Sequence, residues 1–447
     1  SRPPRSRNCA IISAVSISAA KWRRAWSAPS PAAKSRAWRW HFLAALLVIP
    51  FVLWQSATGT LYLWSEAWVD QRHPDLRFVE PAPRQVSLDV QLRAARDFQP
   101  GAKVANVLLP VDPARSTQVT FAAASGLPLA VFVDPHRGVV LGSLEGAAWP
   151  VGWTRSLHGG WPLGDAGSWL LELGACWTIV MVLSGLYLWW PRDGRGWRAL
   201  LPRLRSGGWT FWRDLHACVA VWFSLLIVLF LFTALPWTSF WGNKVLLPVQ
   251  QALGQQGPRA AGFAPVFAGE AATEVGSLQQ MLEQARSRGM AGDLMFTMVD
   301  GPPGSAVSLR SVAANASDER YLLLDRANAQ VLDDAGWSSF PLMAKTVATG
   351  VKLHEADYFG RSGRWVNTAF ALALAWLCVT GTMAWWRRKP ARSLGVPPPS
   401  QRPWPWWLRV LALVGFLVLP LLALSAALLW LAENAWAHFA NCRSKRA

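Results

Sequence analysis

Five stretches of the chain are apolar over the length that a helix needs to cross a bilayer. A transmembrane helix takes about 17–25 mostly apolar residues, and such stretches lie at 36–64, 167–190, 215–239, 365–386 and 407–432. The chain is 52% hydrophobic and contains 30 tryptophans, more apolar and aromatic material than a soluble domain needs. The sequence therefore predicts an α-helical integral membrane protein with about five transmembrane helices.

Positive charge is concentrated in three of the segments outside these stretches. Residues 1–40, 191–214 and 387–409 contain 21 of the 44 Lys and Arg residues but only two of the 26 Asp and Glu residues. Short loops rich in Lys and Arg stay in the cytoplasm, so the N-terminus and both loops are predicted to be cytoplasmic. The net charge of +18 is then a topology signal, and it argues against a nucleic-acid-binding surface.

This orientation divides the rest of the chain. We expect a disordered cytoplasmic lead at 1–35, periplasmic segments at 65–166 and 240–364, cytoplasmic loops at 191–214 and 387–406, and a tail at 433–447. Each periplasmic segment has one helix-like stretch, "SLDVQLRAARDF" or "SLQQMLEQARSRG", followed by short alternating runs that predict strands. The two segments are thus predicted to be α+β domains of the same kind.

Histidines recur at matched distances from hydroxyl residues. Two histidines precede a threonine by 17 residues, and two precede a serine or threonine by 26 residues: His41 and Thr58, His216 and Thr233, His158 and Ser184, His354 and Thr380. A Trp-Trp pair begins five residues after the last two hydroxyl residues. These matches predict an internal tandem duplication of span, outside domain and span, with a fifth span appended.

The segments "LHGGWPLGDAGSWLLELGACWTIVMVLSGLYLWWPR" and "KLHEADYFGRSGRWVNTAFALALAWLCVTGTMAWWRR" resemble those of the PepSY-associated transmembrane protein family. The outside segments, most clearly "VFVDPHRGVVLG", resemble PepSY domains, and the resemblance covers roughly residues 36–390. It implies an iron-regulated inner-membrane protein or a ferric-siderophore reductase with two b-type haems. The chain departs from the pattern at Ala234, which replaces a glycine, and at Glu355, which follows His354 directly.

The predicted topology sorts four histidines into two pairs. His41 and His216 begin outward-going spans near the cytoplasmic face, whereas His158 and His354 precede inward-going spans near the outer face. Two imidazoles that face each other across a bundle can ligate one haem iron axially. Zinc is less apt because a closed zinc site needs four ligands. We therefore predict haem ligation by His41 with His216 and by His158 with His354, although a single histidine at a helix end is more often interfacial.

Other residues of the spans have two interpretations each. Basic residues shortly before each histidine could bind haem propionates or belong to the topology signal: Arg39, Arg155, Arg213 and Lys352. Glu172 could bind a proton or a propionate, or mark a helix start. The pairs Thr58-Gly59, Ser184-Gly185 and Thr380-Gly381 are expected to permit close approach of a helix or a haem.

The resemblance and the histidine spacing together predict a haem-dependent ferric-siderophore reductase of the bacterial inner membrane, which reduces a periplasmic ferric siderophore and releases Fe(II). No Gly-rich nucleotide fingerprint is present in the sequence, so the electron donor is predicted to be a separate reductase or a quinol. Two alternatives stay open: a membrane-anchored PepSY protein that binds or regulates a partner, and a non-redox accessory factor in siderophore uptake. Haem content separates the first prediction from both alternatives.

Overall fold

A computed structural model describes residues 31–122, 127–160, 162–191, 196–261, 276–302, 304–397 and 406–444. The α-helices of these residues are α1 Pro31–Arg72, α2 Pro74–Arg77, α3 Leu88–Phe98, α4 Pro150–His158, α5 Gly164–Trp189, α6 Gly208–Ala234, α7 Leu247–Ala252, α8 Leu278–Ser287, α9 Leu342–His354, α10 Gly360–Arg388, α11 Trp406–Val418 and α12 Pro420–Ser444. The strands are β1 Lys103–Leu109, β2 Thr117–Ala122, β3 Leu129–Val133, β4 Val140–Leu144, β5 Asp293–Thr297, β6 Val307–Val312, β7 Tyr321–Leu324 and β8 Val331–Ala335.

Four helices are long and apolar enough to cross a membrane. They span Ser35–Arg72, Gly164–Trp189, Gly208–Trp237 and Ser362–Arg388, which confirms the prediction of a helical membrane protein. The first helix, α1, begins at Pro31 and so includes the end of the predicted disordered lead. The rest of that lead, residues 1–30, lies outside the described residues.

The fifth predicted span, 407–432, is two shorter helices rather than one. Helix α11 ends at Val418 and α12 begins at Pro420. Proline lacks a backbone N–H and its ring collides with the carbonyl four residues earlier, so a helix commonly ends before it. The indole of Trp241 donates a hydrogen bond to the Val418 carbonyl at 2.8 Å, which helps to satisfy the end of α11. The prediction of about five spans is therefore corrected to four of full length.

All eight strands belong to one antiparallel sheet. Their order is β4-β3-β2-β1-β5-β6-β7-β8, so the two strand groups meet where β1 pairs with β5. Each group comes from one of the two predicted outside segments, and each follows a helix with a serine N-cap, Ser87 for α3 and Ser277 for α8. The prediction of strands in both outside segments is confirmed, and the eight strands form one continuous sheet.

Reciprocal hydrogen bonds join the two halves of this sheet. The Asp89 carboxylate accepts the backbone N–H of Leu278 at 2.7 Å, and the Gln279 side-chain oxygen accepts the N–H of Leu88 at 3.0 Å. Each residue thus caps the helix of the other half, since the first N–H groups of a helix have no partner within it. Asp89 and Gln279 are 190 residues apart, and the separation of Leu88 from Leu278 is the same.

The two faces of the sheet have different neighbours. On one face, buried residues of α3 and α8 pack against alternate strand residues such as Val131 and Val133, as expected because successive strand residues point to opposite faces. On the other face, Ala130 and Phe132 pack with Val69 of α1 and Trp149, directly before α4. The sheet therefore rests on one end of the helix bundle, here called the sheet side; the opposite end is called the far side.

Candidate functional site

The four histidines of the matched spacings lie at both ends of the bundle. His158 and His354 are the last residues of α4 and α9, short helices on the sheet side. Helix α4 packs against α1, and α9 packs against α6. His41 and His216 lie inside α1 and α6, close to the far-side ends of those helices. The sequence did not predict α4 or α9, although Pro150 at the start of α4 and Pro341 just before α9 are typical of helix starts.

The structure brings the histidines together in two pairs, one at each end of the bundle. The ring centres of His158 and His354 are 6.3 Å apart on the sheet side, and those of His41 and His216 are 6.2 Å apart on the far side. All four histidines are half-buried within the bundle. Each pair therefore consists of two imidazoles, one from each half of the chain.

Hydroxyl groups determine the tautomer of the sheet-side histidines. The Thr58 hydroxyl donates to the Trp54 carbonyl at 2.9 Å, and its oxygen lies 3.0 Å from His158 Nδ1. A hydroxyl whose proton is already donated can only accept, so this arrangement assigns the proton to Nδ1 of His158. In the second half, Thr233 donates to the Phe230 carbonyl at 2.7 Å and lies 3.2 Å from His354 Nδ1.

The far-side histidines have the same tautomer by a similar route. His41 Nδ1 lies 3.0 Å from the Met181 carbonyl and 3.2 Å from Ser184 Oγ. His216 Nδ1 lies 3.1 Å from the Leu377 carbonyl, which can only accept a hydrogen bond. With Nδ1 protonated in all four rings, Nε2 is the nitrogen that keeps a free lone pair for a metal.

Three glycines make room for the imidazole rings. A Cβ atom at Gly59 would lie 3.1 Å from His158 Cε1, and a Cβ atom at Gly185 would lie 3.1 Å from His41 Cε1. At Gly381 the same atom would lie 3.0 Å from His216 Cε1. These distances are shorter than ordinary carbon contacts. The three glycines therefore permit the close approach of an imidazole ring.

The spacing of each pair fits two axial ligands of one metal ion. A metal–imidazole bond is about 2 Å long, and the nitrogen lies about 1 Å from the centre of its ring. Two imidazoles on opposite sides of one metal ion would therefore have ring centres about 6 Å apart. Burial lowers the pKa of His158 to about 4 and that of His354 to about 3, so both rings are neutral at pH 7 and can ligate. Among the described residues, no group of three or more His, Cys, Asp or Glu could hold a metal ion.

The two sheet-side histidines have different neighbours. The Phe230 ring stacks on His354 with ring centres 4.3 Å apart and an interplanar angle of 27°. In the first half, Gln55 corresponds to Phe230 by position, and its amide donates to the His158 carbonyl at 3.4 Å. Both backbone carbonyls accept a side-chain amide, since Asn367 donates to the His354 carbonyl at 3.1 Å, and His354 has the stack on Phe230 in addition.

The four basic residues before the histidines are in different environments. Arg213 pairs with Asp214, and Lys352 is buried and pairs with Glu319 at 2.8 Å. Arg39 donates to the Pro397 carbonyl at 2.6 Å, and Arg155 is exposed. Since Arg213 and Lys352 already have carboxylate partners, the exposed Arg155 is well placed for an added anionic group.

The other three histidines lie apart from the pairs. His136 is half-buried beside the sheet, and hydrogen bonds to the carbonyls of Pro113 and Arg84 raise its pKa. His73 contacts the Trp68 ring at 5.9 Å. His438 belongs to α12, and its side chain is outside the described part of the molecule.

The hydroxyl partners are the functional residues whose role the sequence did not predict. The 17- and 26-residue spacings in the sequence already singled out these hydroxyl residues. Each spacing, however, relates a hydroxyl to a histidine other than the one it binds. The spacing alone does not show which helix each hydroxyl faces. Within each half the contacts cross over, because the hydroxyl of the first span binds the histidine before the second span, as in Thr58 with His158.

One protein-family model, described as the PepSY-associated TM region, matches residues 38–388. The match includes all four paired histidines, their hydroxyl partners and all eight strands. No curated protein matches the chain.

Proposed function

The chain belongs to the PepSY-associated transmembrane family, and from this premise we propose that it is a b-type haem oxidoreductase of the bacterial inner membrane. In this proposal it carries electrons across the bilayer to a periplasmic ferric siderophore and so releases Fe(II). The observation that supports it most is the pair of imidazoles at each end of the bundle, with ring centres 6.2 and 6.3 Å apart.

Two haems would be held by His41 with His216 and by His158 with His354. A haem iron with two imidazole ligands exchanges one electron and has no open position for oxygen. The protein's own part is to orient the rings: each Nδ1–H is fixed by a hydroxyl or a carbonyl, so each Nε2 is available to the metal. His41 and Thr58, which contacts His158, are 17 residues apart on α1, or about 25 Å along a helix.

That separation fits electron transfer across a membrane. The hydrocarbon core of a bilayer is about 30 Å thick, so one imidazole pair lies near each face. An electron donor on the far side and an acceptor on the sheet side would each meet the nearer pair. The donor in this proposal is a separate cytoplasmic reductase or a quinol.

We infer the orientation from charge. The Lys- and Arg-rich segments 191–214 and 387–397 adjoin the far-side ends of α5, α6 and α10, and such segments stay in the cytoplasm. The sheet side is then periplasmic, and the two strand groups with α3 and α8 are the two PepSY-like units of a tandem duplication. The reciprocal capping by Asp89 and Gln279 supports a pseudo-twofold relation between these units.

Haem content tests the proposal. We expect the purified chain from haem-replete cells to contain two haems per molecule with a bis-imidazole spectrum. The His158→Ala/His354→Ala and His41→Ala/His216→Ala double variants should each keep one haem, and His136→Ala, beside the sheet, should keep both. A colourless protein, or no haem loss in either double variant, would contradict the haem assignment and favour an anchored binding or accessory protein.

Reoxidation tests the acceptor. The dithionite-reduced protein should reoxidise when a ferric siderophore is added without oxygen, and a ferrous chelator should then detect Fe(II). The same siderophore loaded with gallium, which is not reduced, is the control. A protein that stays reduced with the ferric form would exclude this acceptor while leaving the haem assignment intact.

A further inference from the structure

Glu172 is a carboxylic acid buried within a membrane span. It lies eight residues after the start of α5 and is 0% exposed. Its Oε2 accepts the backbone N–H of Trp241 at 2.9 Å, at the start of a π-helical turn, Trp241–Leu246. Its Oε1 has no hydrogen-bond partner among the described residues, and neither does the nearby hydroxyl of Ser239. Buried polar atoms in native proteins are rarely left unpaired, so this site requires an explanation.

The surroundings of Glu172 contain hydroxyl groups and no cation. Among the described residues it forms no ion pair, and its hydrogen-bond partners are Trp241 and Thr238. Cys176, one turn later on α5, is a titratable side chain that interacts electrostatically with Glu172. The neighbouring elements contribute uncharged side chains here: Phe51 of α1 beside Gly174, Ser425 of α12 on the Trp177 indole, and Thr238 and Ser239 after α6.

The hydroxyl of Thr238 can serve both forms of the carboxyl group. It lies 2.8 Å from the Leu235 carbonyl, and when it donates there its oxygen can accept a hydrogen bond from a protonated Glu172. When it turns, it can donate to the carboxylate instead. Removing a lone carboxylate from water costs several kcal/mol, so the carboxylate form calls for a compensating positive charge elsewhere in the bundle.

The second half of the molecule shows that a carboxyl group is not needed for packing at this position. Thr368 of α10 lies 196 residues after Glu172, the same offset that separates His354 from His158. Its hydroxyl accepts the indole N–H of Trp64 at 2.9 Å. A hydroxyl is therefore enough to accept an N–H from the neighbouring segment, and only the first half has a group that can also exchange a proton.

A path leads from Glu172 toward the sheet side. Ser168 lies one turn earlier on α5, is half-buried, and accepts the N–H of Ser239 at 2.9 Å. The first turn of the helix, Gly164–Ala166, is exposed. The hydroxyl groups of Ser168 and Ser239 thus lie on the side of the buried carboxyl group that faces the exposed start of the helix.

We propose that Glu172 is a proton-binding site, loaded from the sheet side, that compensates the charge of an electron in the bundle. When one electron enters from the donor, the carboxylate takes one proton from water and forms an O–H bond. When the electron leaves, the same bond breaks and the proton returns to water. The net charge of the bundle then stays constant, which matters because uncompensated charge is costly at low dielectric constant. This inference rests on the proposed function.

Redox titration of the haem-loaded full chain at several pH values tests the proposal. In the wild type, the potential of at least one haem should fall as pH rises, by up to about 59 mV per tenfold change in proton concentration. In Glu172→Gln, which keeps an acceptor for Trp241, the slope should decrease clearly. Glu172→Thr, which copies the second half, should behave like Glu172→Gln, whereas the exposed Glu145→Gln should keep the wild-type slope.

Infrared spectroscopy gives a readout other than the haem potential. The reduced wild-type protein should show the C=O stretch of a protonated carboxyl group, shifted in heavy water, and this band should be missing in the oxidised protein and in Glu172→Gln. Equal pH slopes in the wild type and both Glu172 variants, or a band unchanged by Glu172→Gln, would overturn the inference. A protein without haem would instead contradict the proposed function, so the two failures are distinguishable.

Discussion

Each paired histidine is fixed by its Nδ1 partner, and these partners are not identical. Thr58 and Thr233 serve the sheet-side rings, whereas the far-side rings bind the carbonyls of Met181 and Leu377. A backbone carbonyl is still present after a side chain is substituted, whereas a hydroxyl is lost when its own residue is replaced. The sheet-side pair should therefore be the more sensitive of the two to loss of a hydroxyl group.

Thr58→Val keeps the shape of the side chain and removes the hydroxyl that accepts from His158. We expect haem affinity at the sheet-side pair to fall about 10–100-fold, as for other partners that orient a metal ligand. Haem titration of the apoprotein measures this. Thr380→Val is the matched control, because His216 keeps the Leu377 carbonyl at 3.1 Å; equal losses in both variants would contradict the argument.

Gly381 should tolerate no larger residue. A Cβ atom there would lie 3.0 Å from His216 Cε1, so the branched side chain of Gly381→Val must displace the ring. We expect loss of the far-side haem with the sheet-side haem retained, measured as haem per chain. The opposite change in α6, Ala234→Gly, at the position that corresponds to Gly59 of α1, adds no side-chain atom and should leave both haems; loss of haem in that variant would contradict the steric explanation.

At the scale of elements, helix α9 is tied to the sheet by a buried ion pair. Lys352 and Glu319 have 4% and 3% of their side chains exposed, and Tyr321 donates a further hydrogen bond to Glu319. In the first half, by contrast, α4 rests on apolar contacts between Gly152, Trp149 and Pro128. The two sheet-side histidines are thus positioned by different physical means.

Breaking this ion pair should be costly. Glu319→Gln removes the buried carboxylate partner of the Lys352 ammonium and leaves it the half-exposed Asp357 at 3.3 Å, and loss of one partner of a buried pair costs about 3–5 kcal/mol. Thermal unfolding should show a clearly lower midpoint. The double variant Glu319→Leu/Lys352→Met, which removes both charges, should recover much of the loss. A double variant as unstable as Glu319→Gln would contradict this account.

At the scale of the whole molecule, the continuous sheet makes the two strand groups one structural unit. Strands β1 and β5 pair from Asn106 with Thr297 to Leu109 with Leu294, and buried residues of α3 and α8 share one apolar core. Local opening of one group must therefore expose the core of the other. The two predicted PepSY-like units should unfold together.

Hydrogen exchange measures this cooperativity. We expect the β1 and β5 amides to exchange with the same opening free energy, and Asp89→Ala to lower it for both strands by about 1–2 kcal/mol, the value of a helix cap. Asp97→Ala, on the same helix but away from the α8 N-terminus, serves as the control. Different opening free energies for β1 and β5 would show that the two groups unfold separately.

Much of the local structure could be predicted from the sequence. Alternating apolar residues identified all eight strands, and apolar length identified the four full spans. Proline was an ambiguous signal: Pro50 lies inside α1 without ending it, whereas α11 ends at Val418, two positions before Pro420. Neighbouring side chains decide whether the carbonyls freed by a proline find other partners, so this outcome depends on tertiary contacts.

The sequence by itself determined the membrane-spanning architecture, the strand and helix periodicity and the matched spacing of four histidines. These properties depend on residue type and on distance along the chain. Only the tertiary structure decided that β1 pairs with β5, that a hydroxyl of one helix fixes the histidine of another, and that Glu172 meets Thr238 and Ser239. Such contacts join residues from tens to about two hundred positions apart, and they form only when the packed helices and the closed sheet bring the chain together.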